Sequence, residues 1–530
     1  MDTKPSAEHH EHGPASSTTS DTPKRTSLFS DLKHHSKVAA YCLALTSGIL
    51  LYGYDLVIVG NVSSMPEFQR DFGRTLNGKL IIPSLWLGLW NVANPIGGLF
   101  GAVTAGFVQD RTGRRLALAL GCVVSAIGVA VAYVSNQPDD ILSRRAVFFV
   151  AKFVQGYAVQ MIMCTTQTYM SEVLPPTLRG PILAFFPLFT LVGQLVGSVV
   201  VFTSLKSEGS DGYLKCFISQ WPFSGLALIV AFFLPESPAY LVRKGKFDAA
   251  RKSQRRLDAV DADSDAAIEQ LRLSIRLENE SNQHADSYLA CFRGTNRRRT
   301  FIVLFANLVP QLFGLTLLAK ASYFMQMVGM GATNSLLFLQ VGIALGLVGN
   351  IVSMWTLSRF GRVPLCIFGL AVTTVLWMGM GIAGCFTSVV TIWWTAVTMM
   401  LVIAFCGFSV WPASYVVGAE ASSLTLRAKT QGLGWFINGL SNGVFGMVLP
   451  YIFNPDEGNL LGKTGFVYMG LCLIGLAVTW FYVPEMKNRT TMEIDHMFQL
   501  GLDARKFKSW RPADGVLAEA KEKELEVSTA

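Results

Sequence analysis

Charge is what this sequence has least of. Only 15% of its 530 residues are Asp, Glu, Lys or Arg, where a soluble protein carries about 25%, and that deficit excludes an ordinary water-soluble domain. Grouped cysteines are missing too. Nine (Cys42, Cys122, Cys164, Cys216, Cys291, Cys366, Cys385, Cys406, Cys472) stand singly, with no CxxC or Cys/His cluster. This leaves neither a zinc site nor a disulfide framework to expect. No nucleophile elbow, P-loop or metal-ligand pattern occurs, so enzyme, metal and cofactor chemistry are not expected. No histidine lies in a long apolar run, which argues against a histidine proton relay. The first 37 residues are polar and contain no cleavable leader. The net charge of +8 falls mostly between the apolar runs. It comes without a basic helix or aromatic platform, so it reads as membrane topology rather than nucleic-acid binding.

What the chain has instead is long apolar runs, such as Ala117–Tyr133, Phe217–Leu234, Leu365–Phe386 and Phe466–Phe481. Each approaches the roughly 20 residues that a membrane-crossing helix needs. In lipid a backbone must satisfy its own hydrogen bonds, so these runs are helices rather than open strands. Spans are expected at 38–60, 81–109, 115–134, 145–169, 179–203, 218–235, 300–327, 335–357, 363–386, 390–418, 427–450 and 464–484. The fold class is therefore an all-α membrane protein with twelve transmembrane helices. Its domains read as a tail (1–37), a first bundle (38–235), a linker with short helices (236–299), a second bundle (300–484) and a second tail (485–530). Both tails read as polar and disordered. Arg111, Arg114, Arg115, Arg251, Lys252, Arg255, Arg256, Arg297–Arg299, Arg359 and Arg362 place their loops and both termini in the cytoplasm.

The two halves match. Asp110-Arg-Thr-Gly-Arg-Arg115 recurs as Ser358-Arg-Phe-Gly-Arg-Val363, 248 residues on. Glu172-Val-Leu-Pro-Pro-Thr-Leu-Arg179 recurs as Glu420-Ala-Ser-Ser-Leu-Thr-Leu-Arg427 at the same offset, and Pro235-Glu236 as Pro484-Glu485 at 249. Three motifs at one offset imply a duplicated six-helix unit, giving two pseudo-symmetric bundles about an axis along the membrane normal.

The segments GFVQDRTGRR (106–115), YMSEVLPPTLRG (169–180), PESPAYLVRKGK (235–246), GAEASSLTLRAKT (418–430) and PEMKNRTTMEID (484–495) resemble the sugar-porter family of the major facilitator superfamily. Gly193-Gln194-Leu195, SYFMQMVG (322–329) and PYIFNPDEGNLLGKTGF (450–466) are similar to the fungal α-glucoside, or maltose-type, proton symporters. The resemblance implies a monomeric plasma-membrane transporter that takes up a sugar with protons by alternating access. An acidic or hydrophobic metabolite is the second substrate reading, and a non-transporting nutrient sensor the rival of another class. It also implies a cytoplasmic gate of acids (Asp110, Glu172, Glu236, Glu420) and arginines (Arg114, Arg115, Arg179, Arg359, Arg362, Arg427) that pair across the halves when the inner face closes. The bland reading of these charges is topology alone, worth about 0–1 kcal/mol per exposed pair. Ser358 and Val363 depart from the family's acid and second arginine and predict a weaker gate in the second half.

Three ionisable residues fall within spans: Asp55, Lys152 and Lys320. Charge at that depth is costly and marks function by default. Asp55 lies about 7.5 Å and Lys152 about 10 Å from the same side at 1.5 Å per residue, so they can meet. The resemblance makes Asp55 the proton carrier and Lys152, where the family often has Arg, its partner. A permanent structural ion pair is the alternative. Lys320 stands where the family often has Tyr; it reads either as a ligand for an acidic substrate or as a cation snorkelling to nearby water. Gln194, Gln311, Thr316, Trp411, Tyr415, Asn438 and Asn442 are the remaining substrate-contact candidates. Amides and rings suit a polyol, and interhelical hydrogen bonding is the competing role. Pro187 and Pro310 replace glutamines of the hexose porters.

Overall fold

The computed structural model describes residues 35–174, 186–207, 209–258, 263–282, 288–386, 388–422, 426–487, 489 and 491–510. Its long helices are α1 (Ser36–Val62), α2 (Ser84–Thr112), α3 (Arg114–Tyr133), α4 (Ile141–Val173), α5 (Phe186–Ser204), α6 (Asp211–Phe233), α7 (Gly294–Leu318), α8 (Ala332–Phe360), α9 (Arg362–Ala383), α10 (Val389–Ala421), α11 (Arg427–Phe453) and α12 (Thr464–Tyr482). Among the described residues, eleven segments are long and apolar enough to cross a membrane. Large apolar side chains such as Phe100, Phe107, Phe233, Val348, Trp355, Val375 and Phe481 are more than half exposed. That apolar coat suits lipid rather than water. The protein is a multi-pass membrane protein.

Packing follows the sequence halves. In the first, α4 lies against α2 and α3, and α1 against α5 and α6; in the second, α8 packs on α10, α9 on α12, and α7 on α10 and α11. The halves meet along α2 with α11, α5 with α8, and the short helix Ala321–Val328 with α1. Glycine sets the closest approach. A Cβ on Gly156 of α4 would stand 2.2 Å from the Asn94 carbonyl of α2, and one on Gly97 would stand 2.1 Å from the Phe153 carbonyl.

The break in α7 has a local cause. Pro310 cannot donate to the helical ladder and Gly314 adopts φ +98, so the helix stops at Leu312, makes one turn at Leu315–Leu318, and restarts as Ala321–Val328. Irregular backbone at membrane depth is tolerated where protein buries it or where it lines a cavity, and Gln311, Thr316 and Lys320 all lie in this stretch.

Two expectations need correction. The run Arg297–Arg299, assigned to the linker, lies inside α7, which starts at Gly294. Part of the second tail is folded. Helix Thr491–Gln499 and the turn Ala504–Lys506 bury Ile494, Met497, Phe498 and Phe507 against Ile302, Val303, Ala306 and Val417. Arg299 makes an ion pair with Asp495 and donates to the Ala421 and Ser422 carbonyls at the end of α10. The linker does hold short helices, at Pro238–Arg243, Phe247–Leu257 and Ser264–Asn282. A two-stranded hairpin, β1 (Arg74–Leu76) with β2 (Lys79–Ile81), joins α1 to α2 and is the only sheet among the described residues.

Candidate functional site

Asp55 of α1 and Lys152 of α4 meet. Both are buried, at 2% and 3% exposure, and the Lys152 ammonium donates to Asp55 Oδ1. The second carboxylate oxygen accepts from Asn94 Nδ2 of α2. Three helices thus hold one carboxylate with both oxygens occupied, and the Gly97–Gly156 contact lets α2 and α4 close around it. Asn94 was missed in the sequence reading. Its signal was an amide inside an otherwise uncharged span, 16 residues before the arginine motif at Asp110. A small cavity adjoins the pair, lined by Lys152, Gln155 and Gln220 among apolar neighbours. Gln155 donates to Ser125 (3.2 Å) and Gln220 (3.3 Å), and Ser125 bonds Ser224 at 3.0 Å, so the pair opens onto a buried polar chain.

At the broken stretch of α7 the structure brings together Gln311, Thr316 and Asn442. Thr316 bonds the Gln311 side-chain oxygen and lies 3.3 Å from Asn442 Oδ1. Asn438 donates to the Asn307 carbonyl at 3.1 Å, the interhelical role. Tyr415 stacks on Trp435 with ring centres 5.8 Å apart, and Trp411 is half-buried on the same helix. Gln194 is half-buried on α5 and makes no hydrogen bond with another described group. Lys320 is buried at 9% exposure beside Gly60 of α1.

The described acids and arginines of the repeated motifs gather on one face, and the ion pairs among them, Arg114 with Asp110 and Glu172 and Arg362 with Glu420, lie within one half. Arg114 grips Glu172 through two bonds (3.0 and 2.8 Å), and Ser237 donates to the same carboxylate at 2.5 Å. Asp110, 77% exposed, lies 3.7 Å from Arg114. Glu236 accepts from the Arg114, Arg115 and Ser237 amides, and Arg115 caps α6 through the Ala231 and Phe232 carbonyls. The second half repeats this more sparsely. Arg362 makes one bond of 2.7 Å to Glu420, while Glu485 accepts from the Arg362, Val363 and Lys487 amides. Gly113 and Gly361, both at φ +93, turn the chain so that each acid reaches those amides; a Cβ there would come within 2.3 and 2.8 Å of Glu236 and Glu485. Glu420 Oε2 and Arg362 Nε are buried without partners. The cause is readable: Met486 stands where Ser237 does, and Val363 where Arg115 does. The thinner second-half cluster agrees with the sequence expectation. Among the described residues no ion pair on this face joins the halves. Arg359 is exposed, Arg427 is described only as the start of α11, and Arg179 lies outside the described residues.

The opposite face is joined across the halves. Asp456 accepts from Arg74 Nη2 and from the Ser84 amide at the start of α2, both at 2.9 Å, and from the Ser84 hydroxyl. Tyr323 accepts from the Ile82 amide (3.2 Å) and Asn454 donates to the Ile82 carbonyl (2.9 Å). Gln326 donates to the Ser64 carbonyl (2.6 Å) and accepts from Gln69 (3.1 Å). None of these was anticipated, because contacts between residues 241 to 382 positions apart leave no spacing in the sequence.

A helical membrane scaffold with a buried carboxylate–ammonium pair and polar side chains at a broken helix defines a solute transporter of the major facilitator fold. Solved structures share that fold: the proton:xylose symporter XylE bound to 6-bromo-6-deoxy-D-glucose (TM-score 0.67, 20% identity, covering 88% of this chain and 100% of that one) and XylE from E. coli in an inward open conformation (0.68, 20%, 87% and 99%). The model of the family described as "Sugar (and other) transporter" matches residues 39–498, and the chain belongs to that family. Similar proteins include the MFS transporter fmqE of Aspergillus fumigatus (30% identical, 86% of this chain and 85% of that one). The Alpha-glucosides permease MPH3 of Saccharomyces cerevisiae is 29% identical over 91% of this chain and 81% of that one, and the Maltose permease MAL31 of the same yeast is 28% identical over 94% and 82%.

Proposed function

We propose that the chain takes up a sugar-like solute with protons by alternating access, as a monomer in the plasma membrane with both termini cytoplasmic. α2 serves as the twelfth span: it is 29 residues long and carries no charged residue from Ser84 to Gln109. Its asparagines, glycines and proline lower its hydropathy. The twelve spans then form two six-helix bundles, 38–235 and 300–484, joined by the linker at 236–299. The substrate path lies between them, along Gln194, Gln311, Thr316, Trp411, Tyr415, Asn438 and Asn442. Substrate class is supported by the printed names of the relatives, two yeast permeases for α-glucosides and maltose and a bacterial proton:xylose symporter.

The buried Asp55–Lys152 pair carries the reading. A proton taken up by Asp55 removes the charge that Lys152 and Asn94 hold, frees Lys152 and loosens the tie between α1 and α4. Loading and unloading Asp55 on opposite sides would then tie proton flow to the motion of α1, which at Gly60 touches the broken α7. The closed hydrogen-bonded face is the outer gate in this reading, and the arginine-rich face is the inner gate. Pairs across the inner gate belong to the other half of the cycle, when the outer seal has opened. The test is radiolabelled uptake of mono- and disaccharides in a transporter-null yeast, with and without a proton uncoupler. Accumulation abolished by the uncoupler is expected; accumulation indifferent to it would remove the proton from the scheme.

A further inference from the structure

Among the described residues, the membrane interior of this chain holds one cation more than its acids balance. Asp55 and Lys152 cancel each other, while Lys320 has no ion pair or hydrogen bond from its ammonium among the described residues. Ser322, Tyr323 and Gln326, which follow it along α7, are the residues that join the closed face to the other half, so Lys320 lies on the inner side of the seal. An unpaired buried ammonium is costly to hold.

Its surroundings offer donors and few acceptors. The Lys320 Cα comes within 2.9 Å of where a Cβ on Gly60 would stand, which sets it against the end of α1. The next residue there, Asn61, accepts from the Ser322 hydroxyl at 3.1 Å through its side-chain oxygen, and its amide nitrogen is fully buried without a partner among the described residues. About 6 Å further down the path, four residues at 1.5 Å each, Thr316 and Gln311 share a bond through the Gln311 oxygen, and Gln311 Nε2 makes no hydrogen bond with another described group. A cation and an unsatisfied N–H at neighbouring positions of this contact with the end of α1 are both completed by an acceptor-only group carrying negative charge, and a carboxylate is that group.

We propose that Lys320 and Asn61 form a carboxylate-recognition subsite at the closed end of the path, and that the solute carries a carboxylate beyond its polyol portion. Gln311, Thr316 and Asn442 then meet the hydroxyls. This rests on the transporter reading above and names the substrate class of the same path. A neutral sugar fills the hydroxyl positions and leaves the ammonium uncompensated; a sugar acid fills both.

The experiment compares sodium glucuronate with glucose in proteoliposomes containing the wild-type chain, Lys320→Met and Lys320→Arg, as uptake and as competition. The wild type is expected to favour glucuronate, and Lys320→Met to lose that preference by about ten- to hundredfold, the worth of one charged hydrogen bond. Lys320→Arg retains it and controls for folding. Glucose uptake without competition from glucuronate, or an unchanged preference in Lys320→Met, overturns this inference and leaves the transporter standing. Uptake of neither compound overturns both.

Discussion

Asp55 has no spare acceptor: one oxygen is taken by Lys152 and the other by Asn94. Replacing it with Asn keeps the shape, removes the charge and leaves Lys152 buried and alone. Asp55→Asn is expected to keep solute exchange across a membrane while losing uphill accumulation, measured as counterflow against gradient-driven uptake. The arginine clusters make a second residue-scale comparison. Arg114 is 3% exposed and doubly bound, so Glu172→Ala strands a buried guanidinium and should cost about 3–5 kcal/mol. The Arg362–Glu420 pair is single-bonded and 20% and 25% exposed, so Glu420→Ala should cost about 1 kcal/mol or less. Thermal unfolding in detergent ranks them, and equal losses would contradict the geometry. Gly113→Ala forces a Cβ onto Glu236 at a backbone angle few other residues adopt and should cost about 1–3 kcal/mol by the same assay.

Among the elements, the docked helix Thr491–Gln499 and the cross-half seal are the parts whose loss is most informative. Truncation after Arg489 uncovers Ile302, Val303 and Val417 and removes the Asp495 partner of Arg299. A lower unfolding midpoint and poorer recovery from membranes should follow, and an unchanged midpoint would mean the docking contributes nothing. At the seal, Asp456 caps the first turn of α2 from the other half of the chain, where a carboxylate favours the helix N-terminus. Asp456→Ala should loosen that face and speed alkylation of an Ile82→Cys probe; equal rates with and without Asp456 would argue against a gate there.

How much of this could be read in advance divides along physical lines. Helix positions were legible because lipid demands long uncharged runs, and α2 was found by its lack of charge even though its hydropathy is modest. The duplicated motifs were legible because each is local, and Val363 announced the thinner second cluster, whereas the part of Met486 showed only in the contacts. Asp55 and Lys152 were found because a charge in a span stands out by itself. Asn94 and Asn61 were not, since an amide in a span is more often an interhelical tie. The nine-residue helix at 491–499 carries Ile494, Met497 and Phe498 on one face, a pattern too short to stand out from a polar tail. The seal depends on tertiary contacts alone.

For the whole molecule, the halves touch along α2–α11 and α5–α8 and, among the described residues, are locked together by hydrogen bonds at one face. Such an arrangement can rock: opening the sealed face requires breaking the bonds of Asp456, Tyr323, Asn454 and Gln326, and the arginine clusters, intact within each half, move as units. The coupling of that motion to the Asp55–Lys152 pair is the centre of the account. It is tested most directly by imposing an inward proton gradient on proteoliposomes and following accumulation of the transported solute by the wild type and by Asp55→Asn. The account predicts that the gradient drives accumulation above equilibrium only when Asp55 is present. Equal gradient-driven accumulation by both proteins would contradict it.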